Sequence, residues 1–297
     1  GSLGCLILGI ILFPVFIISM EKVYPIMKGS IGYILSLIMI FMIGKDKGKR
    51  LKSLTLFLLA GCLGLLVFNT PNMSQPLFPM LSGLFGFSIL LTSLLQKSSV
   101  PEQDFNKPLT ISKKNVVKSV SAASGVGFIA AFLPGFGSSQ AAIVATNIVG
   151  DVGDEGFLSL VGGINTANML ISIATAFVLH KARNGAIVTV QKLMGIVGFR
   201  EMLLFLGVAL VVGGIAAFLA LKISKVFARF MVRVNYNVIT YSILGFITVL
   251  TFFFDGFIGL IVLFTATSIG LVASFWKIGK NHLMGCLILP VILYFVL

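Results

Sequence analysis

Pro134, Gly135, Gly137, Ser138, Ser139 and Gln140 crowd into the stretch "FLPGFGSSQAA", in the middle of a long apolar run. Proline removes a helix hydrogen bond and glycine loosens the backbone, so a helix is expected to stop here, inside a hydrophobic environment. Non-helical backbone at membrane depth survives only where it is buried in protein or lines a watery cavity. A break at this point frees carbonyls at the end of 119–133 and amides at the start of 138–150, with Ser138 or Ser139 placed to cap the second half-helix. The positive end of that half-helix suits a carboxylate or phosphate, and the freed carbonyls suit a cation. A kink that merely adjusts packing is the plainer reading of Pro-Gly alone, as is a close-packing face made by Ser121, Ser124, Gly125 and Gly127.

Two features weigh toward a site. In "GGINTANMLISIATAF", Asn165, Asn168, Ser172 and Thr175 fall within an arc of roughly 80° on an otherwise apolar helix. Such a stripe either glues helices together or lines a ligand path, and two amides exceed what glue requires. After the break, Ser139 and Thr146, and likewise Gln140 and Asn147, recur at a spacing of about two helical turns, giving the half-helix a polar face.

Other polar residues read more simply. Asp151, Asp154 and Glu155 in "GDVGDEG" suggest a solvated turn, and Asp255 before Gly256 in "FFFDGF" suggests a tight one. His180 and His282 stand beside lysines at apolar edges and are expected to be interfacial. No spacing supports a metal site, a cofactor or a catalytic residue. Ser138 has no intramembrane base to activate it, and neither His-Glu-x-x-His nor a buried aspartate pair occurs, so an enzyme is not expected.

The elements that must position these residues follow from composition. Only 10% of the 297 residues are charged and the mean hydropathy is +1.09, against about 25% charged in soluble domains. The chain is therefore expected to be an all-α polytopic protein of the cell membrane. The excess of 22 Lys+Arg over 9 Asp+Glu lies between apolar runs without interleaved aromatics, which fits topology and not nucleic acid. Cys5, Cys62 and Cys286 lie in apolar runs without paired spacing and read as packing residues. With about 20 apolar residues needed per crossing, the candidate spans are 3–20, 30–44, 53–69, 78–95, 158–179, 202–221, 237–254, 257–276 and 283–297. A broken or re-entrant helical hairpin at 119–150 adds to these, and a shorter segment at 185–199 is interfacial or partly inserted.

The basic stretches 45–50, 97–118, 222–233 and 277–282 define the cytoplasmic face, and the uncharged 69–76 the outer one. A re-entrant 119–150 concentrates more Lys and Arg on one face than a single crossing does. The expected organisation is a four-span unit at 1–96, a basic cytoplasmic linker at 97–118 and a transport unit at 119–297, which holds nearly all the intramembrane polarity.

"GFIAAFLPGFGSSQAA", "GGINTANMLIS", "HKARNGA" and "HLMGCLILPVILYFVL" together resemble the large membrane subunit of tripartite tricarboxylate transporters, the TctA-type permeases, and most of all their archaeal branch. The resemblance covers nearly the whole chain. It implies two related halves, each with a Pro-Gly loop dipping into the membrane, and uptake of carboxylates, with a small membrane subunit and an extracytoplasmic binding protein as partners. Carried onto this chain, the second-half loop is Pro134, Gly135, Gly137, Ser138, Ser139 and Gln140, followed by Asn165 and Asn168. The family's first-half motif is absent, and "GSLGCLI" resembles the point just after it, so the chain is expected to be a piece of a longer permease.

The leading functional expectation is a secondary-active permease for a small organic anion, a di- or tricarboxylate. Sodium is the expected coupling ion, because the spans carry no mid-depth carboxylate for a proton relay. A translocase for polyprenyl phosphate or another anionic membrane lipid is the first alternative, and a non-transporting assembly subunit the second.

Overall fold

The computed structural model describes residues 1–96, 111–133, 136–181 and 184–296. Every regular element among them is a helix. The chain packs as two units, Gly1–Ile31 with Asn106–Ser224 and Gly32–Phe105 with Lys225–Leu297. Neither unit is contiguous in sequence, because α2 (Phe13–Lys45) and α10 (Phe199–Arg233) each run from one into the other.

In the first unit, α1 (Ser2–Ile11) meets the first turns of α2 at a 68° bend, so the expected straight span 3–20 is a broken one. The polar stretch after it does not end the helix either, since α2 continues through Pro25. α6 (Lys113–Ala130) starts within the expected linker, where the Ser112 hydroxyl accepts from the Asn115 amide. It is followed by α7 (Ser138–Val149), α8 (Gly153–Val178), a short α9 (Gly185–Met194) and α10. Small residues hold α1, α6 and α8 together. A Cβ on Gly163 of α8 would stand 2.5 Å from Cys5 Sγ and 2.8 Å from Ala123 Cβ, so only glycine admits both neighbours. Leu170, Ile171 and Phe132 are fully buried in the resulting core.

The second unit is built from α3 (Arg50–Asn69), α4 (Leu77–Leu81), a π-helical turn Ser82–Phe87, α5 (Ser88–Leu95), α11 (Tyr236–Phe275), a 3-10 turn Lys280–Met284 and α12 (Gly285–Val296). α11 is not one straight rod. Gly256 sits at φ 59°, ψ −145°, a conformation essentially restricted to glycine, and the helix folds back there. Both of its ends reach the same place: the Tyr236 hydroxyl lies 2.7 Å from Ser93 Oγ, and Thr92 Oγ1 donates to Ser274 Oγ at 3.3 Å. A straight helix would hold residues 236 and 274 about 57 Å apart. The two legs are thus the expected spans 237–254 and 257–276, each about 30 Å long and matched to a bilayer core.

Loop pairings sort the ends of this unit. Lys49 Nζ donates to the Lys277 carbonyl, and His282 Nε2 lies 2.7 Å from Asp46 Oδ2. Gln75 N donates to Asp255 Oδ1 at 2.9 Å. The basic stretches 45–50 and 277–282 therefore share one end, and the uncharged 69–76 meets the α11 turn at the other. His282 departs from expectation, being 1% exposed where an interfacial residue was expected, because it closes onto Asp46.

Among the described residues, five helices are long and apolar enough to cross a membrane, or six with the bent pair, and Gly29–Lys45 and Lys280–Val296 are shorter apolar helices. α10 presents Leu204, Val211, Ile215 and Phe218 outward, as a helix apolar on all sides does in lipid. The protein is an all-α, multi-pass membrane protein.

Candidate functional site: the broken hairpin beside α8

α6 and α8 run side by side in the same direction. Asn115 Nδ2 donates to the Val152 carbonyl at 3.3 Å. Further along, a Cβ on Gly156 would lie 3.3 Å from Ser119 Oγ, and one on Gly127 2.8 Å from Ala167 Cβ. Between them, α7 brings the chain back to where α6 began. The segment is therefore a helical hairpin whose mouth lies at the 113–118 end. The 12 residues of α7 span about 18 Å, so its N-terminus stands about that far from the mouth.

The end of α6 is anchored by aromatic rings. Phe128 stacks on Phe16 with centroids 5.3 Å apart and meets Phe132 edge-on at 5.1 Å, with Tyr24 at 6.3 Å from Phe132. Past Ala130 the backbone tightens through bonds from Leu133 N to the Ala130 carbonyl and from Phe136 N to the Leu133 carbonyl. Pro134 and Gly135, assigned to the site from the sequence, lie outside the described residues.

The start of α7 differs from expectation in one respect. Ser138 and Ser139 do not cap it. Gly137 is the N-cap, and the buried Gln140 side chain reaches back to accept from Gly137 N at 2.7 Å. Glycine carries no capping oxygen, so the residue three positions on supplies it, as the Glu or Gln of a capping box does. Ser138 is half-buried and Ser139 exposed, and neither hydroxyl is hydrogen-bonded among the described residues. Lower on α7, Thr146 and Asn147 both bond back to the Ile143 carbonyl, so the expected continuous polar face is confined to its first turn.

On α8 the polar stripe divides in two. Ser172 Oγ donates to the Asn168 carbonyl at 2.8 Å and Thr175 Oγ1 to the Ser172 carbonyl at 2.9 Å, so both hydroxyls are satisfied within their own helix. Asn165 is exposed and Asn168 half-buried, and neither amide side chain bonds to any described residue. The register matters here. With Gly127 beside Ala167, Leu133 comes level with about residue 173, so Ser172 and Thr175 flank the tip. Asn168 and Asn165 lie about 8 and 12 Å nearer the mouth, along the face of a helix that also packs against α7.

Elsewhere in this unit, Asp154 and Glu155 lie in the first turn of α8, where the helix dipole favours acids, and Asp151 Oδ1 accepts from Gly153 N. The acidic cluster is a helix start. Exposed His180, with Lys181, Val188, Gln191 and Lys192, lines an open depression of about 410 Å³.

On α6, Ser124, expected on a close-packing face, is buried beside Cys5, and the buried hydroxyl of Ser119, which the sequence did not single out, has no hydrogen-bond partner among the described residues. Nothing in the spacing of Ser119 marks it, because serine on a small-residue face ordinarily bonds its own helix.

A multi-pass helical bundle with a broken helical hairpin packed against a polar-striped helix fits the architecture of membrane permeases. The model of the tripartite tricarboxylate transporter TctA family matches residues 1–285, and the chain belongs to that family. It is a membrane transport component and the family is not one of enzymes. No curated protein and no solved structure matches it.

Proposed function

We propose that the hairpin α6–α7 and the asparagine face of α8 bind a small organic anion, a di- or tricarboxylate, for secondary-active uptake. The observation that carries this reading is the pair of amides on Asn165 and Asn168, unpaired among the described residues, on a helix that packs against the half-helix α7. A carboxylate seated there, with its waters, pairs with the exposed Asn165 amide and the half-buried Asn168 amide. Ser138 and Ser139 present amides and hydroxyls at the positive end of α7, and Gln140 locks that end in shape by accepting from the Gly137 amide. Sodium is the proposed coupling ion, and the tripartite family name supports a small membrane subunit and an extracytoplasmic binding protein as partners.

The test is binding of a panel of di- and tricarboxylates to the purified protein in detergent, with sodium or choline as the only cation. Saturable binding of at least one carboxylate, tightened by sodium, is expected. Equal indifference to every carboxylate would remove the proposal.

A further inference from the structure

The turn of α11 holds a carboxylate that the transport reading does not use. Asp255 is 7% exposed, with one oxygen, Oδ1, held by the Gln75 amide at 2.9 Å. Its other oxygen, Oδ2, is buried with no hydrogen-bond partner, and Asp255 forms no ion pair among the described residues. One helical turn earlier, Thr251 is 0% exposed and its hydroxyl is also without a partner among the described residues. That hydroxyl breaks the habit of its own helix. Thr240, Thr248, Thr265, Thr267 and Ser268 each donate to the carbonyl four residues before them, and Thr251 does not.

Residues four apart share a helix face, so two unsatisfied oxygens, one of them a carboxylate's, stand on the same buried face. The surroundings are built for close approach. A Cβ on Gly259, in the returning leg, would lie 2.7 Å from Asp255 Cβ and 3.1 Å from Thr251 Cγ2. The reversal at Gly256 also ends the first leg, whose last carbonyls lose their helical partners and whose dipole is negative at that end. A proton would satisfy a single oxygen. A cation joins several oxygens at once, and hard cations take oxygen ligands. One carboxylate balances one positive charge.

We propose that Asp255 Oδ2 and Thr251 Oγ1 are ligands of a bound monovalent cation of sodium's class at the α11 turn, with backbone carbonyls of the turn or water completing the shell. The site lies in the second unit and stands independently of the anion site in the first.

Thermal unfolding of the purified protein in detergent tests it, with sodium chloride replacing choline chloride at fixed ionic strength. Binding to the folded state raises Tm with sodium concentration and then saturates. Asp255→Asn is expected to abolish the sodium dependence. Because removing a buried carboxylate can also impair folding, Thr251→Val and Thr251→Ser form a second pair: the valine variant weakens the apparent sodium affinity at least tenfold, and the serine variant, which keeps the oxygen, restores it. A wild-type Tm indifferent to sodium would mean that the oxygens are met by water alone and would overturn the proposal. So would a sodium response of equal midpoint in wild type and Thr251→Val.

Discussion

Gln140 shows how one side chain decides whether a helix can end in a membrane. Its carboxamide oxygen accepts from Gly137 N at 2.7 Å, so the fold closes one of the amides that the break releases and leaves the flanking serine hydroxyls, Ser138 and Ser139, for other partners. Gln140→Ala deletes that cap and is expected to lower stability by about 0.5–2 kcal/mol, read as an earlier unfolding midpoint in detergent. Gln140→Glu, which keeps an accepting oxygen, is expected to retain most of it. The sequence suggested the break between α6 and α7, but it placed the cap on a serine. Ser-Ser directly after glycine looks like a capping pair, and only the backbone path shows that Gly137 already occupies the N-cap position. Asp255 was less legible still. Asp-Gly between apolar runs marks a turn whether its carboxylate is solvated or sealed, and the loop around Gln75, which covers it, is distant in sequence.

Helical spans were the most readable elements because hydropathy and length are local properties. Arg50–Asn69, Leu77–Leu95 and Gly153–Val178 lie close to the runs that composition picks out. What composition misses is direction. Whether 119–150 crosses or returns depends on the bond from Asn115 to Val152, a tertiary contact that no window of sequence contains. A returning hairpin predicts that cysteines at Lys113 and Asp151 react with a membrane-impermeant thiol reagent from the same face. Labelling from opposite faces would require a single crossing. The α11 turn gives a second element-scale prediction. Gly256→Ala forces a Cβ into a conformation that costs of order 1–3 kcal/mol, and thermal unfolding should show that loss, with the Asp255–Gln75 contact loosened.

For the whole molecule, charge alone assigned the faces, and within the second unit the pairings of Lys49 with Lys277 and of Asp46 with His282 agree with it. Cysteines at Lys47 and Arg229 are expected to label from the cytoplasmic face and one at Asn72 from outside, and external labelling of position 47 would invert that assignment. Membership of the TctA family makes transport the task, and the central claim is that the asparagine face of α8 beside the broken hairpin holds the transported anion. The most direct measurement compares carboxylate affinity in the purified protein with that of the double variant Asn165→Leu and Asn168→Leu, which keeps approximate volume and deletes the amides. The account predicts at least a tenfold weaker Kd, equivalent to about 1.4 kcal/mol, with an unfolding midpoint close to that of the unsubstituted protein. An unchanged Kd in the double variant would contradict it and return the stripe to the role of helix packing.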